Sequence, residues 1–170
     1  SDRVELQNAV AFDDGLVGSG LTDCGSVVVR YGVVGRGLAG GLADTVLSQF
    51  AAGSLNPPEA NDHYGYALAA GDFNGDGIDD LAIGVPGDRQ WDGGTQEYEN
   101  TGAVEIHYGQ EGGIQPVGEH HLMQGTFSSH NGDRLGEALA VGNFNGDFYD
   151  DLAVGIPRDH LFAAGGFVWP

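Results

Sequence analysis

Residues 65–88 read GYALAAGDFNGDGIDDLAIGVPGD, and residues 136–159 read GEALAVGNFNGDFYDDLAVGIPRD. At an offset of 71 the two stretches agree at 16 of 24 positions, so the chain carries an internal duplication. Each copy keeps one order: a short apolar run (67–70; 138–141), an acidic glycine loop, and a second apolar run (81–85; 152–156) that stops at a proline. Both runs are too short for helices and are bounded by Gly, Asp, Asn and Pro, which marks them as strands.

Further matches extend the unit outward. Residues 25–32 (GSVVVRYG) match residues 102–109 (GAVEIHYG), an alternating third strand that ends in Tyr-Gly. Residues 47–50 and 122–124 are candidates for a fourth strand, and 10–12 stand where a proline-ended strand finishes. Four strands in about 70 residues is the scale of one propeller blade. The expected fold is therefore all-β, built from antiparallel four-stranded blade-like repeats of a β-propeller type, incomplete in a single chain. Residues 62–130 form the complete unit. Residues 1–61 hold only the later strands of a unit, and residues 131–170 only the early strands, stopping at 166–169.

Composition limits the functions open to such a fold. The 41% apolar content suits a folded domain, and 31 glycines without a Gly-X-Y period suit many tight turns. Twenty-five acidic residues face six arginines and no lysine, a net charge of −19. That charge repels phosphate backbones and anionic lipid and excludes nucleic acid as a partner. No apolar stretch approaches the ~20 residues of a membrane span. The start, Ser1-Asp2-Arg3, has no signal-peptide character, so any export signal is expected to be already removed or to lie outside this sequence. Cys24 is a single thiol and forms no internal disulfide.

The acidic loop carries the chemistry. Asp72, Asn74, Asp76 and Asp80 stand at loop positions 1, 3, 5 and 9, and Ile78 at position 7 offers its backbone carbonyl. Alternate residues of a tight loop turn toward one centre, and an all-oxygen set suits Ca²⁺. Gly77 at position 6 allows a left-handed turn. The expected affinity is that of extracellular calcium modules, about 10⁻⁴–10⁻³ M. The plain alternative is an Asn-Gly and Asp-Gly turn with solvated acids; recurrence of the loop in register argues against it. The second loop offers Asn143, Asn145, Asp147, the Tyr149 carbonyl and Asp151. It has one carboxylate fewer, and Phe148 replaces the glycine of position 6, where a left-handed backbone costs about 1–2 kcal/mol. This second site is expected to be weaker.

Taken together, the Tyr64-Gly65 opening, the DxNxDGxxD loop, the GVP and GIP endings and the GAVEIHYG segment resemble the FG-GAP repeats of integrin alpha subunits and their bacterial relatives. The resemblance covers residues 62–170 well, 25–61 loosely and 1–24 poorly. It implies propeller blades with calcium in the loop between the first two strands, in a seven-bladed extracellular or cell-surface adhesion module. This chain is too short to close such a ring, so it is expected to be a fragment, a homo-oligomer or a filament subunit, with another protein as partner.

Catalysis is not expected of this chain. No cysteine or suitably spaced carboxylate supports a transition-metal site at His120-His121 with His107 and His130, and Ser26, Ser54, Ser128 and Ser129 lack a nucleophile elbow. Asp79-Asp80 belong to the loop rather than to a glycosidase pair. Trp91, Trp169, Tyr98 and Tyr108 are expected in strand or rim packing, and the polar stretch 89–101 is the first place to look for a binding loop. The leading expectation is a calcium-stabilised extracellular module for adhesion or structural self-assembly. Its rival is a non-catalytic propeller fragment of a larger secreted enzyme or carbohydrate-binding protein.

Overall fold

The computed structural model describes residues 10–11, 21–38, 43–51, 57–91, 97–118, 120–124 and 130–159. Thirteen strands are formed there: β1 Val10–Ala11, β2 Val27–Val29, β3 Thr45–Leu47, β4 Leu68–Gly71, β5 Asp80–Val85, β6 Gln90–Trp91, β7 Glu97–Tyr98, β8 Ala103–His107, β9 Gly109–Gln110, β10 Gly113–Ile114, β11 His120–Met123, β12 Ala138–Gly142 and β13 Asp151–Gly155. The end of the last partial unit, 166–169, and Trp169 with it, lies outside the described residues. Among the described residues there is no helix. Within the stretch 89–101, β6 pairs antiparallel with β7.

The complete unit is an antiparallel meander in the order β4-β5-β8-β11. Before it stands a three-stranded sheet, β1-β2-β3, and after it the hairpin β12-β13. The fold is all-β and incomplete, as the repeat phase implies. The fourth strands sit slightly earlier than their sequence candidates, at 45–47 and 120–123.

Residue size along β5 explains how the sheets stack. Every residue of β5 is buried, because both its faces are covered. Leu81, Ile83 and Val85 project one way, into a core with Val27, Val29 and Leu47 of the first unit and Tyr64 of their own. Ala82 projects the other way, into a second core with Leu135, Leu139, Leu152 and Val154 of the third unit. Burying each large aliphatic side chain contributes about 1.5–3 kcal/mol. The two cores therefore bind three units into one stack.

A backbone strap joins neighbouring units, and it occurs twice. Asn61, His63 and Tyr64 donate N–H groups to the carbonyls of Thr22, Asp23 and Cys24 at 2.9, 3.0 and 2.9 Å. Gly132, Arg134 and Leu135 donate to Glu99, Asn100 and Thr101 at 2.9, 3.1 and 2.8 Å. The same left-handed residues recur in both straps, Asp23 with His63 and Asn100 with Arg134. A Cβ on Gly25 would lie 2.3 Å from the Tyr64 carbonyl oxygen, and one on Gly102 would lie 2.2 Å from that of Leu135. Glycine is required at both positions because two backbones touch there.

Under each strap lies a fully buried aspartate, Asp62 or Asp133, whose Oδ2 accepts the N–H of Glu59 or His130 at 2.6 Å. The Asp62 carboxyl is pushed up to about 7 by burial, against the pull of the Glu59 N–H and with help from the charges of Asp88 and Glu59. The folded value exceeds the ordinary 3.8, so between those two values the folded chain holds a proton that the unfolded chain has released. The contribution of Asp62 to stability is therefore full below about pH 4 and declines as pH rises toward about 7. Asp62→Asn keeps an acceptor for Glu59 and removes the titration. Its urea midpoint relative to wild type is expected to rise between about pH 5 and about pH 8. An unchanged difference at the two pH values would contradict a protonated Asp62.

Candidate metal centre

The pairing of Gly71 with Asp80 makes the acidic loop the connection between the first two strands of the complete unit. Gly142 and Asp151 pair identically and close the second loop between β12 and β13. Both loops thus hang on rigid hairpins.

In the first loop the side chains organise the backbone. Asp72 Oδ1 accepts the N–H groups of Gly75 at 2.7 Å and Asp76 at 3.1 Å, and its Oδ2 accepts that of Gly77 at 2.8 Å. Asn74 Oδ1 accepts from Asp76 N–H, and Asp76 Oδ1 from Ile78 N–H, each at 2.8 Å. Asp76 Oδ2 also accepts from the Asn74 side-chain amide at 3.2 Å. Gly75 and Gly77 take φ of 77° and 86°, so the left-handed turn expected at position 6 is formed.

Asp80 is fully buried and holds the loop at both ends. Its Oδ1 accepts the Gly109 N–H and its Oδ2 the Phe73 N–H, each at 2.9 Å. Burial pushes its carboxyl up from the ordinary value; the two N–H bonds pull it down, and Asp76 pushes it up further. Three carboxylates, an amide oxygen and the Ile78 carbonyl make a hard, all-oxygen donor set on one loop, and this chemistry fits Ca²⁺. The carboxylate oxygens named here each accept one or two N–H groups, all from the loop except that of Gly109, so amide dipoles offset their mutual repulsion.

The second loop departs from expectation at one point. Phe148 is not among the residues of positive φ, and its side chain is 97% exposed. The strain expected at position 6 is not incurred, because the backbone there keeps an ordinary φ and turns the ring into solvent. The remaining pattern is preserved. Asn143 Oδ1 accepts from Gly146 N–H at 2.6 Å, Asn145 Oδ1 from Asp147 N–H at 2.9 Å, and Asp147 Oδ1 from Tyr149 N–H at 2.8 Å. Asp151 Oδ2 accepts from Phe144 N–H at 2.6 Å.

Folding also assembles polar groups that are far apart in sequence. His130, Asp133 and Asp159 bring one ligand atom each within 4.8 Å of one another. Asp133 is three residues from His130 in sequence, a local spacing that carried no metal signal by itself, and Asp159 joins them only across the hairpin. At the interface of the first two units, Tyr64 Oη lies 2.8 Å from His107 Nε2, and His107 Nδ1 lies 2.9 Å from the Gln115 carbonyl. A carbonyl only accepts, so Nδ1 carries a proton and donates to it. Glu105 Oε2 is 3.5 Å from the same Nε2, and all three residues are buried. His120 stacks edge-on against Tyr108.

Stacked antiparallel units with an acidic turn between their first two strands define a repeat protein of the propeller type. Residues 64–104 and 135–169 match the family model of the FG-GAP repeat, so the chain carries two FG-GAP repeats. Integrin alpha-PS2 of Drosophila melanogaster is 38% identical over 107 residues, 59% of this chain and 7% of that protein. Human phosphatidylinositol-glycan-specific phospholipase D is 36% identical over 99 residues, 55% of this chain and 11% of that protein. Integrin alpha-6 of Gallus gallus is 38% identical over 102 residues, 56% of this chain and 8% of that protein. The chain spans only a small part of the length of each relative it matches.

Proposed function

We propose that this chain is a calcium-stabilised β-propeller-type module that acts outside the cell or at its surface, in adhesion or structural assembly rather than catalysis. The observation that carries the reading is the loop from Asp72 to Asp80: oxygen donors alone, at alternating positions, fixed to β4, β5 and Gly109. A divalent cation there offsets two of the three carboxylate charges and braces the strand pair. The integrin relatives support the adhesive side of the proposal. The repeated strap supports assembly, because a head-to-tail contact used twice within the chain can be used again with a second copy or a further repeat.

The phospholipase relative favours a second reading, in which the repeats are a non-catalytic part of a larger secreted enzyme. Calcium stabilisation is common to both readings. Equilibrium dialysis at about 10⁻³ M free Ca²⁺, a concentration set by the affinity of extracellular sites, tests it. Wild type is expected to retain calcium, and Asp76→Asn to lose the share held by the first loop. Equal retention by both would remove the first loop as the site.

A further inference from the structure

The second repeat reaches across the unit boundary and grips the first calcium loop at the residue where that loop begins. The Asp150 N–H donates to the Asp72 carbonyl at 2.9 Å. Asp150 Oδ2 accepts the Asp72 N–H at 3.0 Å. Both polar groups of the Asp72 backbone are thereby held by one residue of the neighbouring unit. A second contact lies beside it: a Cβ on Gly75 would sit 2.5 Å from Cε1 of Tyr149, so the Tyr149 ring lies on the Gly75 backbone. Asp150 and Tyr149 belong to the second acidic loop, at its positions 8 and 7. Asp72 is the residue whose carboxylate gathers the N–H groups of Gly75, Asp76 and Gly77.

We infer that Asp150 is a positioning residue for the first calcium loop and that it couples the two loops. This inference rests on calcium binding by the first loop. Fixing the peptide groups on both sides of Asp72 fixes the direction of its carboxylate before a cation arrives, so less ordering is required on binding. Groups that orient a metal ligand typically change affinity by about 10–100-fold when removed. The coupling is reciprocal by linkage: a cation that orders Asp72 also orders Asp150, which lies between Tyr149 and Asp151 of the second loop. The contact requires a carboxylate or amide oxygen at position 150 and a flat side chain at 149.

Isothermal titration of the chelated 170-residue chain with CaCl₂ tests the inference. Asp76→Asn identifies the heat that belongs to the first loop, and the absence of any such heat in wild type refutes calcium binding there, not the clamp. Given that heat, Asp150→Ala is expected to weaken first-loop affinity about tenfold. Asp150→Asn, which keeps an oxygen acceptor for the Asp72 N–H, is expected to stay close to wild type. A general loss of packing would not produce that split. If Asp150→Ala does not fold, Tyr149→Ala decides, because it removes the ring from Gly75 and leaves the Asp150 peptide in place; a smaller loss of affinity is expected. Hydrogen exchange gives an independent reading, since the Asp150 amide should slow when calcium is added to wild type. Wild-type affinity in Asp150→Ala, or in Tyr149→Ala where Asp150→Ala fails to fold, overturns the inference.

Discussion

Chelating calcium is expected to lower the melting temperature of this chain by about 5–10 °C. With a dissociation constant of about 10⁻⁴ M and about 10⁻² M free Ca²⁺, mass action stabilises the folded state by about 2.7 kcal/mol. A chain of this size shifts by about 2–4 °C per kcal/mol. The physical source is local. Asp72 and Asp76 lie within one short loop, and Asp80 closes it from a fully buried position where its charge is already disfavoured. A divalent ion turns that disfavoured charge into an attraction between β4 and β5. Asp76→Asn removes one carboxylate without changing side-chain size, so most of the difference between calcium and chelator should vanish. Scanning calorimetry of both proteins in both buffers measures this, and a chelator shift of equal size in the variant would place the effect elsewhere.

Gly102→Ala is expected to lose about 2–5 kcal/mol. Two terms add. Gly102 has a φ of 84°, which an L side chain adopts at a cost of about 1–2 kcal/mol. Its new Cβ would also lie 2.2 Å from the carbonyl oxygen and 2.4 Å from the nitrogen of Leu135, both backbone atoms of the next unit. Neither can move without breaking the Leu135–Thr101 hydrogen bond of 2.8 Å. Gly77→Ala is the control: its φ is 86°, but no atom lies within 4 Å of the added carbon. It should cost only the backbone term, about 1–2 kcal/mol. Urea unfolding in chelator separates the two variants, and equal losses would mean that the units do not meet at Gly102.

Much of this architecture was legible in the residues, for local reasons. The offset of 71 between the two copies aligns strands whose boundaries are set by Gly, Asp and Pro, and the structure places β4, β5, β12 and β13 on those runs. The loop pattern was legible because alternation in a tight turn is a property of neighbouring residues. Phe148 shows the limit of that reasoning. Homology of position implied a left-handed residue, yet the backbone found another path that leaves the ring exposed.

The sequence by itself determined the repeat, the class of strand-rich unit, and an all-oxygen loop of the kind that holds calcium, since each depends on residues close together in the chain. Tertiary structure alone decided what lies between units: the strap at Tyr64 and Leu135, the burial of Asp62, the meeting of His130 with Asp159, and the grip of Asp150 on Asp72. Those contacts join residues dozens of positions apart, and no spacing rule encodes them. They arise because the small face of one sheet, with Ala82 and Gly84, admits the large side chains and close backbone of the next.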